Sequence, residues 1–170
     1  LSDYTVSHLL RKPKALGVQR WGKRTTTIIP QMVIAGPKVL VINQFSGSGG
    51  DALPWYFKME KAGTVVGVRT WGGLVGIGGY PSLMDGGMVT APRIAVEGLD
   101  GTFPVENHGV DPDVEVWQDP QLMRQGHDPQ LEKSVEIAMQ QLKANPPKQY
   151  QKAPWNNYHP VLPPLPKSGN

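Results

Sequence analysis

Two serines stand in the run SGSGGD, Ser46 and Ser48, three residues after the apolar stretch VLVI and directly before ALPWYFKMEKAG. A serine hydroxyl is a poor nucleophile at its free pKa, and it attacks a carbonyl only when a base within hydrogen-bond reach takes its proton. A buried strand that runs into a Gly/Ser turn and then into a helix places Ser48 at the positive end of the helix dipole. There the amide of Gly49 can donate to a developing oxyanion, and Gly47, Gly49 and Gly50 leave room for a peptide backbone to approach. On the motif alone two other readings stay open: a phosphate-cradling turn and a plain flexible loop. The run is no Walker loop, because no Gly-Lys-Ser/Thr follows, and both serines are offset from the GxSxG pattern.

The base is harder to find. The histidines are His8, His108, His127 and His159. His108 is two residues from Glu106, so on an extended segment the two side chains would share a face. A loop histidine is nevertheless more often structural or exposed. His127 precedes a helix start, where a capping role fits better than a cationic one, and His159 lies in the tail. Read by itself, Glu106 is an ordinary surface acid within an acidic segment. No pair of histidines has metal-ligand spacing with a third ligand nearby, so neither a metal nor a cofactor is expected.

The elements that must carry these groups follow from pattern. SDYTVSHLL reads as a short helix capped by Ser2 or Asp3 and ended by Pro13. TTTIIP reads as a strand. The unbroken β-branched run in KVLVINQF indicates a strand covered on both faces, as in a parallel sheet. The helix ALPWYFKMEKAG is expected to take Asp51 as N-cap, with Pro54 in its first turn and Gly63 at its end. TVVGVR is the next buried strand, which completes a right-handed crossover unit. The Gly-rich stretch from Trp71 to Pro112 holds two short strands, MVTAP and RIAVEG. Within it Trp71-Gly72-Gly73 reads as a turn that shapes the groove or the core, and Asp111-Pro112-Asp113 as a turn capped by its own acids. A last helix from Asp128-Pro129 to about Asn145 shows an apolar stripe of Leu131, Val135, Ala138 and Leu142. Residues 1–145 form the folded part, and 146–170, with seven prolines, an extended tail.

Composition sets the outer bounds. With 170 residues, 39% hydrophobic and 18% charged, the chain suits one compact core. No apolar run approaches eighteen residues, so no membrane partner is expected, and the N-terminal residues lack the order of a signal peptide. Position 1 is not Met, which suggests a piece of a longer protein. The absence of cysteine rules out disulfides and thiolate chemistry and leaves the compartment open. Residues 1–38 carry Arg11, Lys12, Lys14, Arg20, Lys23, Arg24 and Lys38 against Asp3 alone, whereas residues 97–119 hold seven acids and no Lys or Arg. Without interleaved aromatics or a known nucleic-acid motif, the basic stretch reads as a solvated face or one that meets the rest of the protein.

Five blocks in fixed order give a sharper reading: NQFSGSGGDALPWYF, VVGVRTWGGLVGI, LMDGGMVTAP, VENHGVDPDVEV and GHDPQLEKSVE. Together, over about residues 36–145, they resemble the C-terminal catalytic region of tricorn proteases and their bacterial relatives, within the wider group of C-terminal-processing peptidases. The resemblance implies an α/β fold that forms the C-terminal half of a crotonase/Clp-protease-like β-superhelix. It implies that Ser48 is the nucleophile and that Gly49 supplies one oxyanion-hole amide. It also implies that Glu106 is the acidic member of a tetrad, bonded to a serine that orients the general-base histidine. No segment here resembles that serine–histidine pair. The resemblance therefore implies serine-type peptide hydrolysis by a parent protein, with this chain inactive alone. The expected partners are a peptide substrate, the missing N-terminal part of the catalytic domain and further copies in a homo-oligomer. Gln44 stands where relatives often have Glu, and Gly49 where some have Asp. The alternatives are a non-catalytic oligomerisation or peptide-binding module of the same fold, a crotonase-type acyl-CoA enzyme and, last, a nucleic-acid binder.

Overall fold

The structure, a computed structural model, describes residues 1–20 and 25–155. Lys23 and Arg24 of the basic stretch, His159 and the tail from 156 onward lie outside the described residues. The chain order is α1 (Ser2–Leu9), β1 (Ala15–Val18), β2 (Thr26–Ile29), β3 (Val39–Ile42), α2 (Gly49–Met59), β4 (Thr64–Gly67), β5 (Gly76–Gly79), β6 (Thr90–Ile94), β7 (Val114–Glu115), α3 (Pro120–Arg124) and α4 (Pro129–Ala144).

The crossover unit read from the sequence is present. β3 and β4 pair in parallel, Val39 opposite Thr64 through Ile42 opposite Gly67, with α2 connecting them. β7 joins the far side of β4, also in parallel, giving the order β3-β4-β7. Two antiparallel ribbons, β1-β2 and β5-β6, complete the mixed α/β fold. MVTAP and RIAVEG are thus not two strands. Thr90–Ile94 spans their junction as a single strand, β6.

Helix α2 sits between two apolar clusters. On one side Phe57 packs with Val6, Ile42 and Val65; on the other Ala52 packs with Leu74, Val105 and Val110. Burying a side chain such as Phe57 contributes about 1.5–3 kcal/mol, so this helix fixes the sheet to the loops beyond it. Gly63 does not cap α2, whose C-cap is Glu60. A Cβ at Gly63 would lie 2.0 Å from the Lys38 carbonyl oxygen, so the position needs glycine for a close crossing of backbones.

Several expectations are corrected. Helix α1 has Leu1 as N-cap and no side-chain cap, because Ser2 donates its hydroxyl to the Gly49 carbonyl instead. Helix α2 starts two residues before Asp51, with Ser48 at the N-cap position, so Pro54 falls inside the helix rather than in its first turn. Strand β3 is not covered on both faces, since Val41 is 43% exposed. The apolar stripe of α4 is divided: Leu131 and Val135 are exposed, while Gln130 and Ser134 are the buried residues. Gln130 faces inward because it has a partner there, donating to the Val116 carbonyl, and the buried Ser134 hydroxyl is satisfied within its own helix by the Gln130 carbonyl. The start of α4 is as read, with Asp128 accepting from the Leu131 amide. That bond, with a second from Gln118, holds the Asp128 carboxyl below its ordinary pKa. Residues 146–155 contain no helix or strand.

Candidate active site

The parallel strand β3 ends at Ile42, and the chain then turns sharply before α2 begins. The two serines of that turn have different lives. The Ser46 hydroxyl lies 3.3 and 3.4 Å from the amide nitrogen and side-chain oxygen of Asn43, so it is engaged with its own turn. Ser48 is exposed, and its hydroxyl makes no hydrogen bond among the described residues. Its backbone lies at φ 51°, ψ −109°. For a residue with a Cβ that is a strained conformation, costing on the order of 1–3 kcal/mol, and it turns the side chain outward.

The amides around Ser48 are equally differentiated. The Ser48 N–H donates to the Gly73 carbonyl at 3.0 Å, and the Gly50 N–H to the Gly47 carbonyl at 2.8 Å. The Gly49 N–H makes no hydrogen bond among the described residues. Of the three successive amides at the start of α2, it is the one open to an incoming oxygen, at the positive end of the helix.

The loop after β4 locks against this turn. Trp71 donates its amide to the Ser46 carbonyl, and its ring covers Gly47 and Gly73, where an added Cβ would come within 2.6 and 2.4 Å of it. Gly72, at φ +86°, passes so close to the His108–Gly109 backbone that a side chain has no room. The Trp71-Gly72-Gly73 turn therefore shapes the groove, as its sequence suggests.

Glu106 reaches the same place from a third segment. Its Oε2 accepts the amides of Leu74 and Val75 at 2.9 and 2.8 Å, while Oε1 makes no hydrogen bond among the described residues. Ser48 and Glu106 line one cleft of about 600 Å³ together with Trp71, Val75, Ile77 and Pro92. Such a cleft has the size of a ligand site. It offers a free hydroxyl and a carboxylate with one open oxygen, and the uncommitted Gly49 amide follows Ser48 directly in the chain; acyl transfer needs these parts plus a base.

Among the described residues, the histidines do not supply that base. His108 does not share a face with Glu106, because residues 105–109 form a turn with Asn107 at φ 60°, and the Val105 carbonyl accepts from both His108 and Gly109. Its ring sits 3.1 Å from Asp111 and 3.4 Å from Arg69. His127 pairs with Glu132 at 2.9 Å rather than capping a helix, and His8 stacks edge-on with Tyr4. Asp113 does not cap its own turn either: it accepts the Val65 amide and pairs with Lys58.

One residue was misjudged in the sequence. Asp51, expected as the N-cap, lies three residues inside the helix and is fully buried, accepting the amides of Gly72 and Gly73. An acid directly after a Gly-Ser turn was its only signal.

Comparison with known proteins gives a consistent result. Residues 5–116 match the model for peptidase family S41. The chain is 44% identical over 149 residues to tricorn protease homolog 1 of Streptomyces coelicolor, covering 86% of this chain and 14% of that protein. It is 38% identical over 129 residues to the tricorn protease of Thermoplasma volcanium, covering 76% of this chain and 12% of that one. The crystal structure of the tricorn protease superimposes with a TM-score of 0.77 at 34% identity, over 84% of this chain and 14% of that chain. Mature CPAF shares the fold, with a TM-score of 0.55 at 24% identity over 69% of this chain and 23% of that one. The chain thus spans about one seventh of the length of the relatives it matches. With the match extending over 112 of its 170 residues (116 − 5 + 1), the chain belongs to peptidase family S41.

Proposed function

We propose that this chain is the nucleophile-bearing part of a serine peptidase and that the parent protein hydrolyses peptides through an acyl-enzyme on Ser48, with this chain inactive alone. The observation that carries the reading is the meeting of Ser48 and Glu106 in one cleft, with the Ser48 hydroxyl and one Glu106 oxygen unbonded and the uncommitted Gly49 amide next to Ser48 in the chain. Ser48 Oγ attacks the scissile carbonyl and gives its proton to a histidine held by another segment of the parent protein. The oxyanion that forms accepts from Gly49 N–H. The histidine then protonates the leaving amine, and water releases the acyl group by the same route in reverse. Glu106 acts through its free oxygen, orienting that histidine by way of a serine. No step calls for a metal or cofactor.

In the same reading the chain forms the C-terminal half of a crotonase/Clp-protease-like superhelix. Its exposed Val41 face and α4 stripe then meet the N-terminal part of the catalytic domain or another copy in a homo-oligomer. Likeness to the tricorn proteases supports this arrangement.

The test is peptidase activity of the chain alone and of the chain joined to the segment that carries the histidine. The proposal expects turnover only in the second, abolished by Ser48→Ala. Robust turnover by the chain alone, lost on Ser48→Ala, would return His108 as the base. Silence in both would favour the non-catalytic binding module.

A further inference from the structure

We infer that Asp51 is the residue that positions the nucleophile, holding Ser48 in its strained backbone conformation through a closed ring of hydrogen bonds. Its catalytic consequence rests on the reading of Ser48 as nucleophile; the conformational claim stands on geometry alone. Asp51 is 0% exposed, and a buried carboxylate is tolerated only where hydrogen bonds replace its water. Oδ1 accepts Gly72 N–H at 2.9 Å and Oδ2 accepts Gly73 N–H at 3.1 Å. The Gly73 carbonyl in turn accepts Ser48 N–H at 3.0 Å, and the Asp51 amide donates to the Ser48 carbonyl at 2.9 Å. The ring runs from Ser48 to Gly73 to Asp51 and back to Ser48.

This is a relayed form of a familiar helix start. In a capping box the side chain at the third helical position bonds the N-cap amide directly. Here the N-cap is Ser48 and the third residue is Asp51, but the bond passes through one residue of a distant loop, by way of the Gly73 N–H and C=O. The relay does two things. It occupies the Ser48 amide, which leaves Gly49 as the open donor. It also clamps the loop so that Trp71, packed on Gly47 and Gly73, prevents the turn from relaxing out of φ 51°. Without the carboxylate the 72–73 loop loses its anchor, the Gly73 carbonyl leaves Ser48, and the hydroxyl and the neighbouring Gly49 amide lose their fixed relation to each other.

The experiment uses the intact protein. Asp51→Asn keeps the shape but turns an N–H donor toward an amide donor. It is expected to lower kcat by about 100-fold or more while KM stays within about two-fold, the pattern of an interaction used in the transition state. An unchanged kcat in the folded variant overturns the inference. A second measurement does not need turnover: the thermal midpoints of Ser48→Gly and Ser48→Ala, each with Asp51 and with Asp51→Asn. Glycine takes a positive φ without strain, so Ser48→Gly should melt about 2 °C or more above Ser48→Ala while Asp51 holds the turn. With Asp51→Asn the turn has already relaxed, and that advantage should vanish. A glycine advantage of equal size in both backgrounds overturns the inference, and so does none while Asp51 is present, an outcome that is readable even if Asp51→Asn fails to fold. A wild-type protein without turnover would sink the reading of Ser48 yet leave this comparison readable.

Discussion

The cleft has two unlike sides. Ser48 stands on the β3–α2–β4 unit, where Phe57, Val65 and Val66 are at most 1% exposed and where Asp51 and Thr70 are buried with their hydrogen bonds met inside the fold. Across from it the β5-β6 ribbon contributes Ile77 and Pro92 to the lining, and its Ile77 and Ile94 are 71% and 62% exposed. One side holds a hydroxyl and an amide through hydrogen bonds met inside the fold and stores strain to do so. The other is apolar surface that has not yet found a partner, and it gains burial when something lies on it. In the proposed reading the difference separates two jobs: the hydroxyl and its oxyanion donor are positioned within the folded chain, the base comes from another segment, and grip on the substrate is left to contacts made on binding.

That division can be broken or sharpened by substitution. The largest effect is expected at Glu106, which reaches the cleft from a third segment and serves the positioning job. Glu106→Gln keeps an oxygen for the amides of Leu74 and Val75, so the loop should stay in place. Losing the charge toward the cleft should lower kcat of the intact protein by about 10²–10⁴, in the range seen when the acidic member of a serine triad is replaced. Steady-state kinetics check this, and a fully active Glu106→Gln would reduce the residue to a brace for the loop. A smaller effect, of the opposite kind, is expected at Ile77. Ile77→Ala removes apolar surface that a bound peptide would cover, worth about 1–2 kcal/mol. It should raise KM roughly 5- to 30-fold and leave kcat within about two-fold. A loss of kcat with KM unchanged would mean that the ribbon also positions the reacting atoms, and the contrast between the two sides would fail.

The same contrast explains what could be read in advance. The crossover unit was legible because its signals are local: a β-branched run, a glycine turn, an amphipathic helix and a second β-branched run. The setting of Ser48 followed from that order alone. Glu106 did not, because its meaning depends on bonds to Leu74 and Val75, more than thirty residues earlier in the chain, and only a family resemblance singled it out. Asp51 was misjudged for a related reason. An acid near a helix start normally serves its own helix, and nothing in the sequence says that the carboxylate serves a loop twenty residues on. The α4 stripe failed where a local rule met a tertiary preference, since Gln130 found an inward partner, the buried Ser134 was satisfied within its own helix, and Leu131 and Val135 were turned to the surface.

The central claim concerns one hydroxyl, and a serine-directed fluorophosphonate tests it most directly. Treating the intact protein and mapping the adduct by mass spectrometry should place a single label on Ser48, lost in Ser48→Ala and slowed in Glu106→Gln. A label on Ser46 or elsewhere, or none on a protein that demonstrably cleaves peptides, would contradict the account.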